Sequence, residues 1–281
     1  MLLPGGPTYS FSVCQNPACR HGWLRAASSP ETDAYPADYY THVPSQPAGL
    51  LGRTVARVKR SRLGHALGYV MYLQDQAPGR VLEVGCGSGS RLAELRDRGW
   101  EVQGLEPDEA AVAVAREHYK VPVVAGMLEE GTFPPGSFDA VVMTHVIEHV
   151  ADPIPLLRVC RSLLRPGGRV VITCPNLDSY GHATYGAAWI GLDPPRHEHL
   201  FTLDSLVAVA RAAGFSSVRA RTSVRGALGN LVGSEQVRAA GHRRGRVVPS
   251  LRAKGLALTA VELAHLARNG RAGEEIALAA S

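Results

Sequence analysis

The chain has 281 residues, 45% of them hydrophobic, a formal charge of +5 and five cysteines. That size and apolar content give one large domain, or a domain with attachments, and a sizeable core. The scattered cysteines exclude a disulfide framework and point to reduced thiols in a cytoplasmic setting. The moderate positive charge permits an anionic substrate or a peripheral membrane-surface contact without demanding nucleic acid. The opening MLLPGGPTYS lacks a basic region followed by a long apolar run, so no signal peptide is expected. No stretch of about 18 uninterrupted apolar residues exists, which argues against a spanning helix.

Residues 1–50 are turn-rich and read as an irregular N-terminal segment. Cys14 and Cys19 stand as C-x4-C with His21 nearby. Thiolates and imidazoles bind zinc, but structural zinc sites take four ligands and no second cysteine pair is close, so no metal is expected. Tyr35, Tyr39 and Tyr40 follow, as aromatic packing for this segment or as a lid over a substrate cleft. From Leu51 to Leu63, Leu51, Val55, Val58 and Leu63 interleave with Arg53, Arg57, Lys59, Arg60 and Arg62. This reads as a helix with a solvated basic face, or one that meets anionic groups. Pro78-Gly79 then introduces the first core strand.

The stretch VLEVGCGSGSR, residues 81–91, organises the rest. A short apolar run ends in Gly85, Gly87 and Gly89, and a helical pattern follows: strand, tight turn, helix. A second strand, 101–105, delivers Glu106 at its carboxyl end, where open parallel sheets bind ligands. A carboxylate there can accept hydrogen bonds from both hydroxyls of a ribose. The dinucleotide fingerprint G-x-G-x-x-G is not met, because Ser90 stands where it requires glycine. Glu83 places a negative charge just before the loop, which suits a ligand with an amino group and a sulfonium better than a pyrophosphate.

Asp108 caps a second helix from Glu109. A short strand, 121–124, leads to Gly126-Met127-Leu128-Glu129, apolar side chains and a carboxylate suited to an adenine ring or else a short surface helix. The apolar run 138–143 is a strand, followed by THVIEHVADP and a helix over about 153–164. Pro166-Gly167-Gly168 turns into the strand 169–174. A helix over 202–213 and a strand over 215–222 come next. Residues 225–254, rich in Arg238, Arg243, Arg244, Arg246 and Arg252, read as a mobile or loosely helical insertion. Residues 255–268 read as a helix packed on the domain, with a membrane-surface or dimer contact as the alternative, and 275–280 as the last strand. Alternating strands and helices predict an α/β, doubly wound, mostly parallel sheet with helices on both faces.

VLEVGCGSGS, GLEPD, FDAVVMTHVIEHVADP and LLRPGGRVVITCPN, in this order and spacing, resemble the class I S-adenosylmethionine (SAM) methyltransferases. The closest likeness is to the branch with the ubiquinone-biosynthesis O-methyltransferases and bacterial small-molecule and polysaccharide enzymes. The resemblance covers residues 79–222. It implies a Rossmann-like sheet of seven strands with the last antiparallel, a methyltransferase domain over 51–281, and substrate-side insertions at 178–200 and 225–270. It implies that Glu83, Gly85, Cys86, Gly87 and Gly89 hold the methionine part of SAM, and that Glu106 with Pro107 binds the ribose. Met127, Leu128 and Glu129 then flank adenine, while Thr144 and His145 face the methyl-donor region. The branch often carries two cysteine pairs in its first segment. Here only Cys14 and Cys19 answer to them, at a widened spacing.

Methyl transfer requires the acceptor to be held in line with the methyl group, and a hydroxyl acceptor must lose a proton. Histidine suits that task near neutral pH, and His149, His145 and His197 are the candidates. Tyr39, Tyr40, Trp189 and Arg196 are candidate substrate contacts. His145-Val-Ile-Glu148-His149 also matches H-x-x-E-H, but that zinc-protease pattern needs both histidines on one helix, and here it directly follows a strand. The expected acceptor is a small molecule or sugar. The alternatives are an RNA methyltransferase, favoured by the arginines but lacking an RNA-binding module, and a SAM-binding partner protein without catalysis.

Overall fold

The computed structural model describes residues 9–25, 73, 76–224, 226–240 and 249–281. Tyr35, Tyr39, Tyr40 and the basic stretch 51–63 lie outside the described residues.

The large sheet has seven strands: β3 (Arg80–Val84), β4 (Glu101–Glu106), β5 (Val123–Ala125), β6 (Phe138–Thr144), β7 (Leu164–Pro175), β9 (Val218–Ser223) and β10 (Glu275–Ala280). Their order is β5-β4-β3-β6-β7-β10-β9, with β10 antiparallel to both neighbours and the other pairs parallel. Successive side chains on a strand face opposite ways, and each buried strand therefore feeds two cores. Leu82, Val141, Ile172 and Ile276 join one face, covered by α3 (Pro153–Leu163) and α5 (Leu203–Ala212). Val81, Val142, Val171 and Ala277 join the other, covered by α1 (Ser90–Arg96) and α2 (Glu109–Glu117). Each fully buried Val, Leu or Ile contributes about 1.5–3 kcal/mol to folding.

The helices begin where side chains satisfy free N–H groups. Asp108 accepts from Ala110 and Ala111 at the start of α2, Asp152 accepts from Ile154 at α3, and Thr202 with Ser205 forms a capping box at α5. The Pro166-Gly167-Gly168 turn lies inside β7 as a bulge, since pairing passes from Phe138–Leu164 to Ala140–Arg169.

Two regions differ from the sequence expectation. Within the N-terminal segment, expected to be irregular, β1 (Phe11–Val13) and β2 (Gly22–Leu24) form a ribbon that pairs with β8 (His199–Leu200). Three-residue strands carry too little periodicity to be seen in sequence. The arginine-rich insertion, expected to be mobile or loosely helical, includes a regular helix, α6 (Ala227–Ala240), which packs with α7 (Pro249–Asn269). Beside it, α4 (Tyr180–Tyr185) and the turns through Leu192 build a third apolar cluster of Tyr185, Trp189, Ala227 and Leu231. Among the described residues no helix is long and apolar enough to cross a membrane.

Candidate active site

The carboxyl ends of β3, β4, β5 and β6 open into a cavity of about 890 Å³. The glycine turn after β3 forms its floor. Gly85 has φ of +66°, and a Cβ there would stand 2.5 Å from Val146 Cγ2. Gly89 has φ of +76°, and a Cβ would strike Val121 and Ala115. Both positions therefore need glycine on backbone and packing grounds alone.

Glu106 ends β4 and ties the turn to the next helix. Its Oε2 accepts from the Gly87 N–H at 2.8 Å and its Oε1 from the Asp108 N–H at 3.1 Å. The carboxylate is nearly buried yet lines the cavity. Gly85, Gly87, Pro107, Met127, Leu128, Glu129, Thr144, His145 and His149 line it too. Met127 is 63% exposed, a large apolar side chain left open at the rim. Glu83, Cys86 and Gly89 are not on the wall. Glu83 is fully buried behind the turn, its Oε1 2.6 Å from Arg91 Nη1, so it braces the turn from beneath.

The lining has a sign. Glu106, Asp108, Glu129, Glu130 and Asp152 contribute carboxylates, and no lysine or arginine is among the described residues that line it. In a chain of formal charge +5 this is a local reversal. It favours a cation and disfavours a pyrophosphate.

His145 and His149 lie on the far wall, and His197 packs against His149. His145, at φ +54°, leaves β6 in the left-handed region. Its Nδ1 lies 3.1 Å from Glu148 Oε1 and its Nε2 3.2 Å from Glu275 Oε1. Burial opposes its charge, but bonding to the two carboxylates outweighs this and raises its pKa to about 9. With both nitrogens donating, His145 has no lone pair for a substrate proton. His149 follows on a 3-10 turn, Ile147–His149, and its Nδ1 donates to the Arg196 carbonyl at 2.7 Å. A carbonyl can only accept, so Nδ1 carries a hydrogen. His197 has the same arrangement, donating from Nδ1 to the Gly191 carbonyl at 2.8 Å. Burial lowers its pKa, partly opposed by the Glu148 charge, and it does not reach the cavity wall.

The substrate contacts expected on the 178–200 insertion face elsewhere. Trp189 is buried, its Nε1–H donating to Glu274 at 2.9 Å. The Arg196 guanidinium pairs with Asp193 at 2.6 Å, and its backbone carbonyl accepts from His149. Cys14 and Cys19 are free thiols and belong to no group of metal-ligating side chains among the described residues. Glu148, His149 and His197 do offer ligand atoms within 4.8 Å of one another.

Sequence reasoning missed Asp108, Asp152, Pro155, Leu156 and Val159 as lining residues, and Glu148 and Glu275 behind the wall. Asp108 and Asp152 carried a signal as helix caps at strand ends. Glu275 carried none, being 130 residues from its partner His145.

Residues 55–220 match a family model described as a methyltransferase domain. The ubiquinone biosynthesis O-methyltransferase of Pseudomonas aeruginosa is 36% identical over 133 residues, covering 43% of this chain and 56% of that protein. Its namesake from Xanthomonas oryzae pv. oryzae is 35% identical over 144 residues, covering 47% and 59%. The chain thus spans little more than half the length of these curated relatives. Two solved structures share the fold. A SAM-dependent methyltransferase from Thermotoga maritima, described as a possible histamine N-methyltransferase, has 20% identity, covers 81% of this chain and 96% of its own, and has a TM-score of 0.51. One from Archaeoglobus fulgidus has 21% identity, covers 81% and 92%, and has the same score.

Proposed function

This chain belongs to the methyltransferase-domain family, and from that premise we propose that it transfers a methyl group from SAM to a hydroxyl of a small-molecule or sugar acceptor. The observation that carries the reading is the cavity's lining: a glycine turn pinned by Glu106, with five carboxylates and, among the described residues, no lysine or arginine. A ligand with a ribose, an ammonium and a sulfonium fits that sign.

Glu106 holds the ribose, Met127 and Leu128 cover the adenine, and the turn through Gly85 and Gly87, which presents no side chain, gives the methionine end room to lie against the backbone. Glu83 supports this end from below, through Arg91. Bound SAM supplies a methyl group already activated on a positive sulfur. The protein's task is then to hold an acceptor oxygen in line and to remove its proton. His149 is the base: it lines the cavity, and with Nδ1 bonded to the Arg196 carbonyl its Nε2 is the nitrogen left to take a proton. His145 is a fixed cation and takes no part in proton transfer. Five free thiols support a cytoplasmic, reducing setting for this biosynthetic step.

Calorimetry with SAM and with S-adenosylhomocysteine, its demethylated product, tests the donor. Micromolar binding of both is expected. No heat with either ligand would remove the reading. A screen of hydroxyl acceptors with labelled SAM then tests the transfer.

A further inference from the structure

His149 stands on the irregular turn 145–151 between β6 and α3. A short turn of this kind has few hydrogen bonds of its own and is held in place by what packs against it. Three bonds tie it to the segment 196–199. The His149 Nδ1 donates to the Arg196 carbonyl at 2.7 Å. The Glu198 N–H donates to the Glu148 carbonyl at 2.8 Å. The His199 Nε2 lies 3.2 Å from the Ala151 carbonyl, and because a carbonyl only accepts, that nitrogen carries a hydrogen.

The segment 196–199 is held in turn by the N-terminal ribbon. β8 pairs with β2, which sets His199 opposite Trp23 and Leu200 opposite Gly22. The Leu24 N–H donates to the Glu198 carbonyl at 2.8 Å, and the Thr202 Oγ1 to the Cys19 carbonyl at 2.7 Å. The side chain of His199 completes the connection. Its Nδ1 lies 2.9 Å from the His21 Nε2, and both rings pack on Phe201. One ring nitrogen of His199 therefore meets the ribbon and the other meets the turn that carries His149. The ribbon strands are three residues long and form only a small sheet, and a ribbon of that size is marginal unless it packs on something larger. Here it docks on the segment that braces the candidate base.

We propose that His199 is a positioning residue for His149: it carries the hold of the N-terminal ribbon across to the Ala151 carbonyl and so fixes the turn from which His149 meets the acceptor. The inference rests on the reading of His149 as the base, and it gives the N-terminal ribbon a part in the transfer step. His199 itself is not among the described residues that line the cavity, so it acts through His149 and not on the substrate. A base displaced by a fraction of an ångström loses rate steeply. The donor half, pinned by Glu106, has no contact with this chain of bonds, so the loss falls on turnover and not on SAM binding.

The test is a double-mutant cycle on kcat, run on the full chain with a hydroxyl acceptor that the wild type methylates, alongside calorimetry with SAM. His199→Phe keeps a ring in place and removes both bonds. Its kcat is expected to fall about tenfold, with SAM affinity within about twofold of wild type. His199→Gln puts an amide N–H where the Nε2 hydrogen stood and is expected to recover most of that loss. In the His149→Ala background His199→Phe is expected to cost nothing further, because a positioning residue has no effect once the group it positions is gone. Should His199→Phe fail to fold, His21→Phe, which removes the ribbon side of the connection, is measured in its place, with a fall of about threefold expected. Wild-type kcat in the folded phenylalanine variant overturns the proposal, and so does a loss that appears in SAM affinity or persists in full without His149. If His149→Ala alone leaves turnover unchanged, it is the reading of His149 as the base that has failed.

Discussion

The two halves of the cavity are built in different ways. The donor half, from Glu83 to Asp108, comes from one strand–turn–helix–strand unit, and its central bond, Gly87 N–H to Glu106, spans 19 residues. The acceptor half gathers His145, Arg196 and Glu275 from separate elements, through contacts 47 and 130 residues apart. Local backbone constraint shapes the first: glycines at positive φ and a carboxylate fixed to main-chain N–H groups. Buried charge shapes the second, with carboxylates and imidazoles that hold one another in defined protonation states. A local unit can be recognised from its spacing, whereas a charge network exists only when the chain has folded around it.

The sharpest way to break this contrast is at Glu106. Its carboxylate accepts from two N–H groups and faces the cavity, so Glu106→Ala loses both the pin of the turn and the ribose contact. SAM affinity is expected to fall about 100-fold or more, since hydrogen bonds to a charged group are worth about 1.5–3 kcal/mol each. Calorimetry checks this, and affinity within about threefold of wild type would mean that the donor half is not organised by this acid.

Next in size is His149→Ala. Turnover on any hydroxyl acceptor that the wild type methylates is expected to fall by about two orders of magnitude, with SAM affinity nearly intact. That separation of turnover from donor binding is the functional form of the two-halves contrast. Unchanged turnover would take His149 out of the mechanism.

The smallest effect concerns the support of the acceptor half. Glu262 of α7 is buried, accepts from the Glu274 N–H at 2.8 Å, and has an unpartnered Oε2. Burial, with repulsion from Glu274, raises its pKa from 4.5 to about 8. Between these values the folded chain holds a proton that the unfolded chain releases, so stability falls as pH rises through that window. Glu262→Gln is expected to flatten this fall. Thermal melts at pH 6 and pH 9 compare the two proteins, and an identical loss in both would show that Glu262 does not titrate in this way.

Much of the donor half is legible in the sequence. The glycines at 85, 87 and 89 and the acid at 106 follow from the strand–turn–helix pattern, and Met127 and Leu128 from the loop after the third core strand. The same reading put Glu83, Cys86 and Gly89 with the ligand, and these are not among the residues lining the cavity, because a motif shows which residues shape a turn but not which atoms face the cavity. The acceptor half is less legible. His145 and His149 are four residues apart and both stand as candidate bases in sequence, with His149 favoured. Folding gives one a pair of carboxylates and the other a backbone carbonyl. Trp189 and Arg196 read as substrate contacts, but their polar groups are taken by Glu274 and Asp193.

By itself the sequence determined the doubly wound sheet, the place of the glycine turn and the acid that grips it, because hydrophobic period and backbone sterics act between residues close in the chain. Only the tertiary structure decided which histidine bonds to two carboxylates and which to a backbone carbonyl. Those properties depend on burial and on partners up to 130 residues away, and a protonation state is set by its surroundings, which the chain acquires only on folding.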